Sequence, residues 1–227
     1  RAMFTLVPYT DKVSRVKVYG QPHVMLDGGT GVGKTDLIEA LAMSVNAKSK
    51  RIQGMPDLMP SAVLGDFALL QKANGDRHVV YKPGKIFCHI LRIDEANRAN
   101  AKVKAALLEA MEERSITPSN ETIDLFGDDI QIREVLPLFP ISGNLNDVSG
   151  PRFFMALLTQ NIFGDEEGTY ETPHAEWDRI TYRIRMKRPL FNEEMQVSAK
   201  NVIGKKIEQV TDLYEINEAA NFIFNNV

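Results

Sequence analysis

Eight consecutive residues, Gly28-Gly29-Thr30-Gly31-Val32-Gly33-Lys34-Thr35, constrain this chain more than any other stretch. They match the pattern G-x-x-x-x-G-K-[ST] in full. Such a run belongs between a strand and a helix, where its glycines let successive N–H groups turn inward toward phosphate oxygens. The flanks agree with that placement. Pro22 to Asp27 is a short, largely apolar run, and after Lys34 the residues Leu37, Ile38, Leu41 and Val45 recur at helical spacing. Strand, glycine-rich turn and helix open an α/β layer fold. Lys34 is then the group that reaches the β and γ phosphates of a nucleotide, and the Thr35 hydroxyl is a ligand for Mg²⁺. The helix beginning there adds the positive end of its dipole. The expected ATP contacts run from Gly28 to Thr35, with Asp36 beside them.

A second apolar run, Ile86 to Ile93, ends in Asp94-Glu95 and leads into a helix from Ala101 to Glu113, with Val103, Leu107, Ala110 and Met111 on one face. After a phosphate loop, a strand ending in two carboxylates supplies the other half of a hydrolytic site: Asp94 for the metal shell, Glu95 to orient and polarise water. Between the two units, the turn residues Asn74-Gly75-Asp76 precede Val79-Val80-Tyr81, which predicts a hairpin. A further hairpin is expected over Ile116 to Ile132, a third strand over Leu136 to Ser142, and a fourth over Ile180 to Met186. Beyond Phe191 the pattern is helical, with Ile216, Ala220 and Ile223 on one face. Pro189 marks the boundary.

Composition narrows the classes. The 227 residues include 27 Lys or Arg and 30 Asp or Glu, a formal net charge of −3 that does not suit a strongly basic nucleic-acid binder. The single cysteine, Cys88, excludes an internal disulfide framework and fits a reducing compartment, so a cytoplasmic location is expected. No apolar run approaches the roughly 20 residues of a membrane span.

Several blocks resemble the MoxR group of AAA+ ATPases. They are Asp94-Glu95-Ala96-Asn97-Arg98-Ala99 with Ala106 to Arg114 behind it; Arg51-Ile52-Gln53-Gly54-Met55-Pro56-Asp57 through Ser61; Lys82-Pro83-Gly84-Lys85-Ile86-Phe87; and Gly168 to Arg179. The resemblance implies an α/β core with a parallel sheet between helices over residues 1–188, followed by the start of a small helical lid over 189–227. It implies an insert near 52–81 and a hairpin near 116–132, both tending to face a pore or substrate. It also implies ATP and Mg²⁺ as ligands, a homo-oligomeric ring, usually a hexamer, and a protein client carrying a von Willebrand factor A domain. By the same resemblance Asn144 is the sensor of the γ phosphate, with Asn146 as the alternative, and Arg179 is the arginine finger offered to a neighbouring subunit.

Three departures from the family pattern stand out. Pro137 and Pro140 lie in the strand expected to carry the sensor, although proline cannot donate to a central ladder. Arg92 interrupts the apolar strand before the acidic pair, and needs either a sheet end or an acidic partner. No second arginine sensor follows Pro189, and the helix expected between Val18-Tyr19-Gly20-Gln21 and the first core strand is missing, so chain is expected to be missing both before Pro22 and after Val227. Two other functions compete with remodelling. A nucleic-acid motor is disfavoured by the acidic hairpin residues Glu121, Asp124, Asp128 and Asp129. A non-hydrolysing nucleotide switch is disfavoured by intact Lys34, Asp94 and Glu95. The alternation of Arg183, Arg185 and Lys187 with Tyr182, Ile184 and Met186 reads as the polar face of a half-buried strand.

Overall fold

The computed structural model describes residues 6–10, 17–71, 75, 77–117, 124–125, 128–129, 136–144, 152–161, 179–188 and 207–226. In chain order the first elements are β1 (Val7–Thr10), β2 (Lys17–Gly20), β3 (Val24–Gly28), α1 (Lys34–Met43), β4 (Val45–Asn46), β5 (Ser49–Gln53) and α2 (Pro60–Leu64). Next come β6 (Gly65–Gln71), β7 (Arg77–Pro83), β8 (Ile90–Asp94), a 3₁₀ turn (Ala96–Arg98), α3 (Ala101–Glu113), β9 (Ser115–Ile116), β10 (Asp124–Leu125) and β11 (Asp128–Asp129). The last are β12 (Leu136–Pro137), β13 (Met155–Asn161), β14 (Tyr182–Met186), β15 (Thr211–Asp212) and α4 (Leu213–Asn226).

Five strands form one parallel sheet in the order β14-β3-β13-β8-β5. Its central strands are apolar on both faces because helices cover both. Side-chain alternation along β13 and the two residues before it makes this visible. Phe153, Met155 and Leu157 pack with Ile38 and Ala42 of α1, whereas Phe154, Ala156 and Leu158 pack with Val103, Leu107 and Met111 of α3. The same alternation explains Arg92. It shares the α1 face with Ile90, while Leu91 and Ile93 face α3, and its guanidinium meets Glu39 of α1 at 3.1 Å. The acidic partner is the solution the fold uses.

The sheet corrects one expectation. The stretch Leu136 to Ser142 does not supply a strand of the main sheet. Leu136 and Pro137 pair instead with Ile116 and Ser115, and Pro140 forms an isolated bridge to Arg152. The central place between β3 and β8 goes to β13. Prolines would remove ladder donors from a strand paired on both sides, and Phe153 to Leu158 carries none.

Other expected elements are present. The hairpin around Asn74-Gly75-Asp76 exists as β6 and β7, paired antiparallel over seven positions. Of the hairpin expected over 116–132, the described residues show β10 and β11 paired antiparallel, while Ile116 pairs with Leu136. Of the tail, α4 docks on the α1 side, where Leu213 and Ile216 join Ile38, Ala42 and Val45, and β15 pairs with β4. Ile216 and Ala220 are buried, but Ile223 is substantially exposed. Pro189, Asn146 and the block from Gly168 to Asp178 lie outside the described residues. Among the described residues no helix is long and apolar enough to cross a membrane.

Candidate functional site

Register brings the chemistry to one edge of the sheet. Asn161 and Met186 pair with Gly28, and Gln53 pairs with Asp94, so β3, β5, β8, β13 and β14 all end together. Open α/β sheets bind ligands outside these carboxyl ends. Gly33 caps α1 with φ 79°, the left-handed region that glycine enters without steric cost. No side chain caps this helix, so its first N–H groups stay available to a phosphate. Thr30, Gly31 and Asp36 are exposed, while Gly29, Val32, Gly33 and Thr35 are partly buried.

Lys34 is only 7% exposed. Its Nζ donates to the Gly28 and Gly29 carbonyls at 2.9 and 2.6 Å and to Asn161 Oδ1 at 2.8 Å. Burial pulls its pKa down, and the carboxylates of Glu95 and Asp27 oppose that shift. Asp27, on the strand just before the loop, is buried and ion-paired with Arg183 of β14. That contact gives one member of the alternating basic strip a specific partner.

Glu95 leaves β8 in the left-handed conformation (φ 50°). Its backbone N–H donates to Thr159 Oγ1 at 3.0 Å. One carboxylate oxygen accepts from Asn161 Nδ2 at 3.3 Å, and the other accepts from Gln53 Nε2 and Arg98 Nη1, both at 3.1 Å. Gly54 lies directly against this turn. Its N–H donates to the Asp94 carbonyl at 2.7 Å, and a Cβ there would fall 2.1 Å from the Glu95 carbonyl oxygen. Asp94 is buried, with Oδ1 facing Thr159 Oγ1 at 3.5 Å and Oδ2 held by Arg51 Nε at 2.5 Å.

The geometry therefore joins Lys34, Asp94 and Glu95 through Asn161 and Thr159 of β13. Asn144 is not among these contacts. It is exposed in the turn after Pro140, whose carbonyl accepts from His89 at the amino-terminal side of β8, the end of that strand away from Asp94. Among the described residues, the asparagine that contacts the lysine of the phosphate loop is Asn161. Sequence reasoning missed Asn161, Thr159 and Gln53, although the unbroken run Phe153 to Leu158 signals a doubly covered strand ending in Thr159-Gln160-Asn161. Arg179 is described on the α3 side, where it is ion-paired with Glu112 at 2.7 Å. Cys88 is buried in the core with its thiol pKa raised by burial to about 12, so it is not a thiolate at neutral pH.

Among the described residues no three His, Cys, Asp or Glu side chains gather into a metal cluster. The donors present nevertheless fit Mg²⁺. A carboxylate and a hydroxyl are hard oxygen ligands, and a nucleotide's phosphates complete such sites. Asp94 already faces a cation, the Arg51 guanidinium.

A five-strand parallel sheet with a phosphate loop after β3, paired carboxylates after β8 and a polar β13 terminus between them defines a P-loop nucleotide-binding core of the AAA+ type. Residues 23–132 match the ATPase family associated with various cellular activities (AAA). The chain is 36% identical to the uncharacterized protein YeaC of Bacillus subtilis over 93% of its own length and 56% of that protein's. It is 31% identical to chaperone MoxR1 of Mycobacterium tuberculosis, covering 92% of this chain and 49% of that one. A crystal structure of a candidate ATPase from Cytophaga hutchinsonii superposes with a TM-score of 0.63 at 29% identity, over 89% of this chain and 54% of that one. The chain belongs to the MoxR group of AAA+ ATPases. It spans about half the length of the curated relatives it matches.

Proposed function

We propose that this chain hydrolyses ATP with Mg²⁺, as part of a ring-forming, chaperone-like assembly that remodels a protein partner. The observation that carries the hydrolytic reading is the bridge from Lys34 Nζ through the Asn161 amide to the Glu95 carboxylate, at 2.8 and 3.3 Å. One amide touching both the phosphate-binding cation and the acidic residue can register whether a terminal phosphate is present. Lys34 and the loop N–H groups hold the phosphates, with Thr30, Val32 and Asp36 flanking them. Thr35 and Asp94 are the residues that hold Mg²⁺, which supplies charge neutralisation at the phosphates when bound. Glu95 orients the attacking water and takes its proton, and Gln53 and Arg98 position Glu95.

Arg179 is proposed as the finger that completes a neighbour's site, stabilising charge on the transferring phosphoryl group. A hexamer, a cytoplasmic location, a client with a von Willebrand factor A domain, and a helical lid over residues 189–227 follow from the same family reading. The name of the relative chaperone MoxR1 supports the remodelling part.

The direct test is the Glu95→Gln variant. We expect hydrolysis to fall by about 10²–10⁴-fold while ATP still binds. Captured in ATP, this variant should retain both oligomer and client. Turnover equal to that of the unsubstituted chain would end the catalytic assignment, and recovery of a lone subunit would end the remodelling one.

A further inference from the structure

At the carboxyl end of the sheet most charged groups are committed to partners that are themselves part of the site. Lys34 is tied to the loop carbonyls and Asn161, Arg98 to Glu95, and Arg183 to Asp27. Arg51 is the guanidinium committed to Asp94. It stands on β5, the strand at the sheet edge next to β8, two residues before Gln53, to whose side chain it also donates at 3.4 Å. The two halves of this ion pair differ sharply in environment. The Asp94 side chain is 5% exposed, and that of Arg51 is 54% exposed.

That asymmetry has a physical consequence. A buried carboxylate is costly unless a cation or several donors compensate it. Thr159 supplies only a long contact of 3.5 Å, so Arg51 carries most of the compensation. The Arg51 side chain can nonetheless swing away without a desolvation cost of its own, because 54% of it is already exposed, provided that another cation replaces it at Asp94. A divalent cation binding at Asp94 competes with Arg51 for the same carboxylate, whose Oδ2 the guanidinium holds and whose Oδ1 has only the long Thr159 contact.

We infer that Arg51 is a metal surrogate: it neutralises Asp94 when Mg²⁺ is absent, gives way when Mg²⁺-nucleotide binds, and so sets the Mg²⁺ concentration the site requires. It is a positioning residue, acting through Asp94 and touching no reacting atom. The inference rests on Asp94 as the metal-holding carboxylate of the proposed function.

Titrating Mg²⁺ into the full chain with a fluorescent ATP analogue reads the requirement without turnover. Melting temperatures in EDTA and in saturating Mg²⁺ without nucleotide give a second readout. Arg51→Met should lower half-saturating Mg²⁺ by about threefold or more, because the metal then no longer competes with a guanidinium for the buried carboxylate. It should also lower the melting temperature in EDTA more than in Mg²⁺. Arg51→Lys should lie between, and Lys82→Met, which removes a cation from β7, should leave the Mg²⁺ midpoint in place. An unchanged or raised Mg²⁺ requirement in Arg51→Met overturns the inference, as does an equal melting loss in both buffers. If the unsubstituted chain binds the analogue with no dependence on Mg²⁺, the metal role of Asp94 falls, and the surrogate role with it. A dependence that Arg51→Met does not shift removes the surrogate role alone.

Discussion

The two ends of the central sheet both bury polar groups, but they satisfy them in opposite ways. At the amino end the partners are backbone atoms. His23 Nδ1 accepts from the Ala156 N–H at 2.9 Å, and its Nε2 donates to the Met111 carbonyl at 2.9 Å. His89 accepts from the Lys48 N–H at 3.1 Å and donates to the Pro140 carbonyl at 2.9 Å. The guanidinium of buried Arg114 donates to the carbonyls of Phe154 and Gln21. At the carboxyl end the partners are largely other side chains: Asn161 with Lys34 and Glu95, Gln53 with Glu95, and Arg51 with Asp94. A backbone acceptor cannot leave without unfolding its segment, whereas a side chain can rotate away when a ligand offers something better. One end is therefore built to stay as it is, and the other to exchange partners.

Breaking each end should give a different readout. At the carboxyl end, Asn161→Ala should lower hydrolysis about 10²–10³-fold, the range for losing one preorganised amide at a site of developing charge. Its unfolding free energy should stay within about 1 kcal/mol of the unsubstituted chain. Asn144→Ala should change turnover less than about twofold, as ordinary surface substitutions do. Steady-state kinetics on the two variants decide which asparagine serves the site; a large effect at Asn144 with none at Asn161 would reverse the assignment made from β13.

The amino end should respond in stability instead. Arg114→Met deletes two charge-assisted hydrogen bonds and leaves buried carbonyls short of donors, a loss of about 2–4 kcal/mol. Urea unfolding measures it directly. The nucleotide affinity of whatever fraction remains folded should stay close to that of the unsubstituted chain. A variant that unfolds normally but no longer binds nucleotide would contradict the division between the two ends.

How much of this was readable beforehand follows the same physics. The phosphate loop and the Asp94-Glu95 pair are local in sequence, so their residue types and spacing report them directly, and the helix from Ala101 to Glu113 was legible from its apolar face. The strand between β3 and β8 was not local. Its identity depends on which segment slots between β3 and β8, and that is decided by ladder donors and two-sided burial. Pro137 and Pro140 were visible warnings against the Leu136 stretch, and the competing run Phe153 to Leu158 was the better fit. Gln53 and Thr159 carry no motif; only register places them beside Glu95 and Asp94. A charged residue within an apolar strand signals that Arg92 needs a partner, but that the partner is Glu39 follows only from α1 covering that face.

The smallest effect expected concerns pH, and it tests the fixed end specifically. His23 and His89 each accept a backbone N–H at Nδ1 and face a carbonyl at Nε2, which requires the neutral Nε2–H tautomer. Burial holds the pKa of His23 well below its usual 6.5, with the charge of Arg114 adding to the shift, and burial lowers His89 as well. The unfolded chain therefore takes up protons below about pH 6.5 that the folded chain refuses. Stability should be complete above that pH and decline as the solution is acidified toward the folded values. The slope contributed by each group approaches at most about 1.4 kcal/mol per pH unit. Urea midpoints at pH 7.5, 6.5 and 5.5 should show little change over the first step and a clear loss over the second. His23→Gln keeps a donor and an acceptor without a titrating proton; it should start less stable at pH 7.5 and lose less between 6.5 and 5.5. An acid slope that survives this substitution undiminished would mean that His23 is charged in the folded chain, and the amino end would then share the exchangeable character of the other.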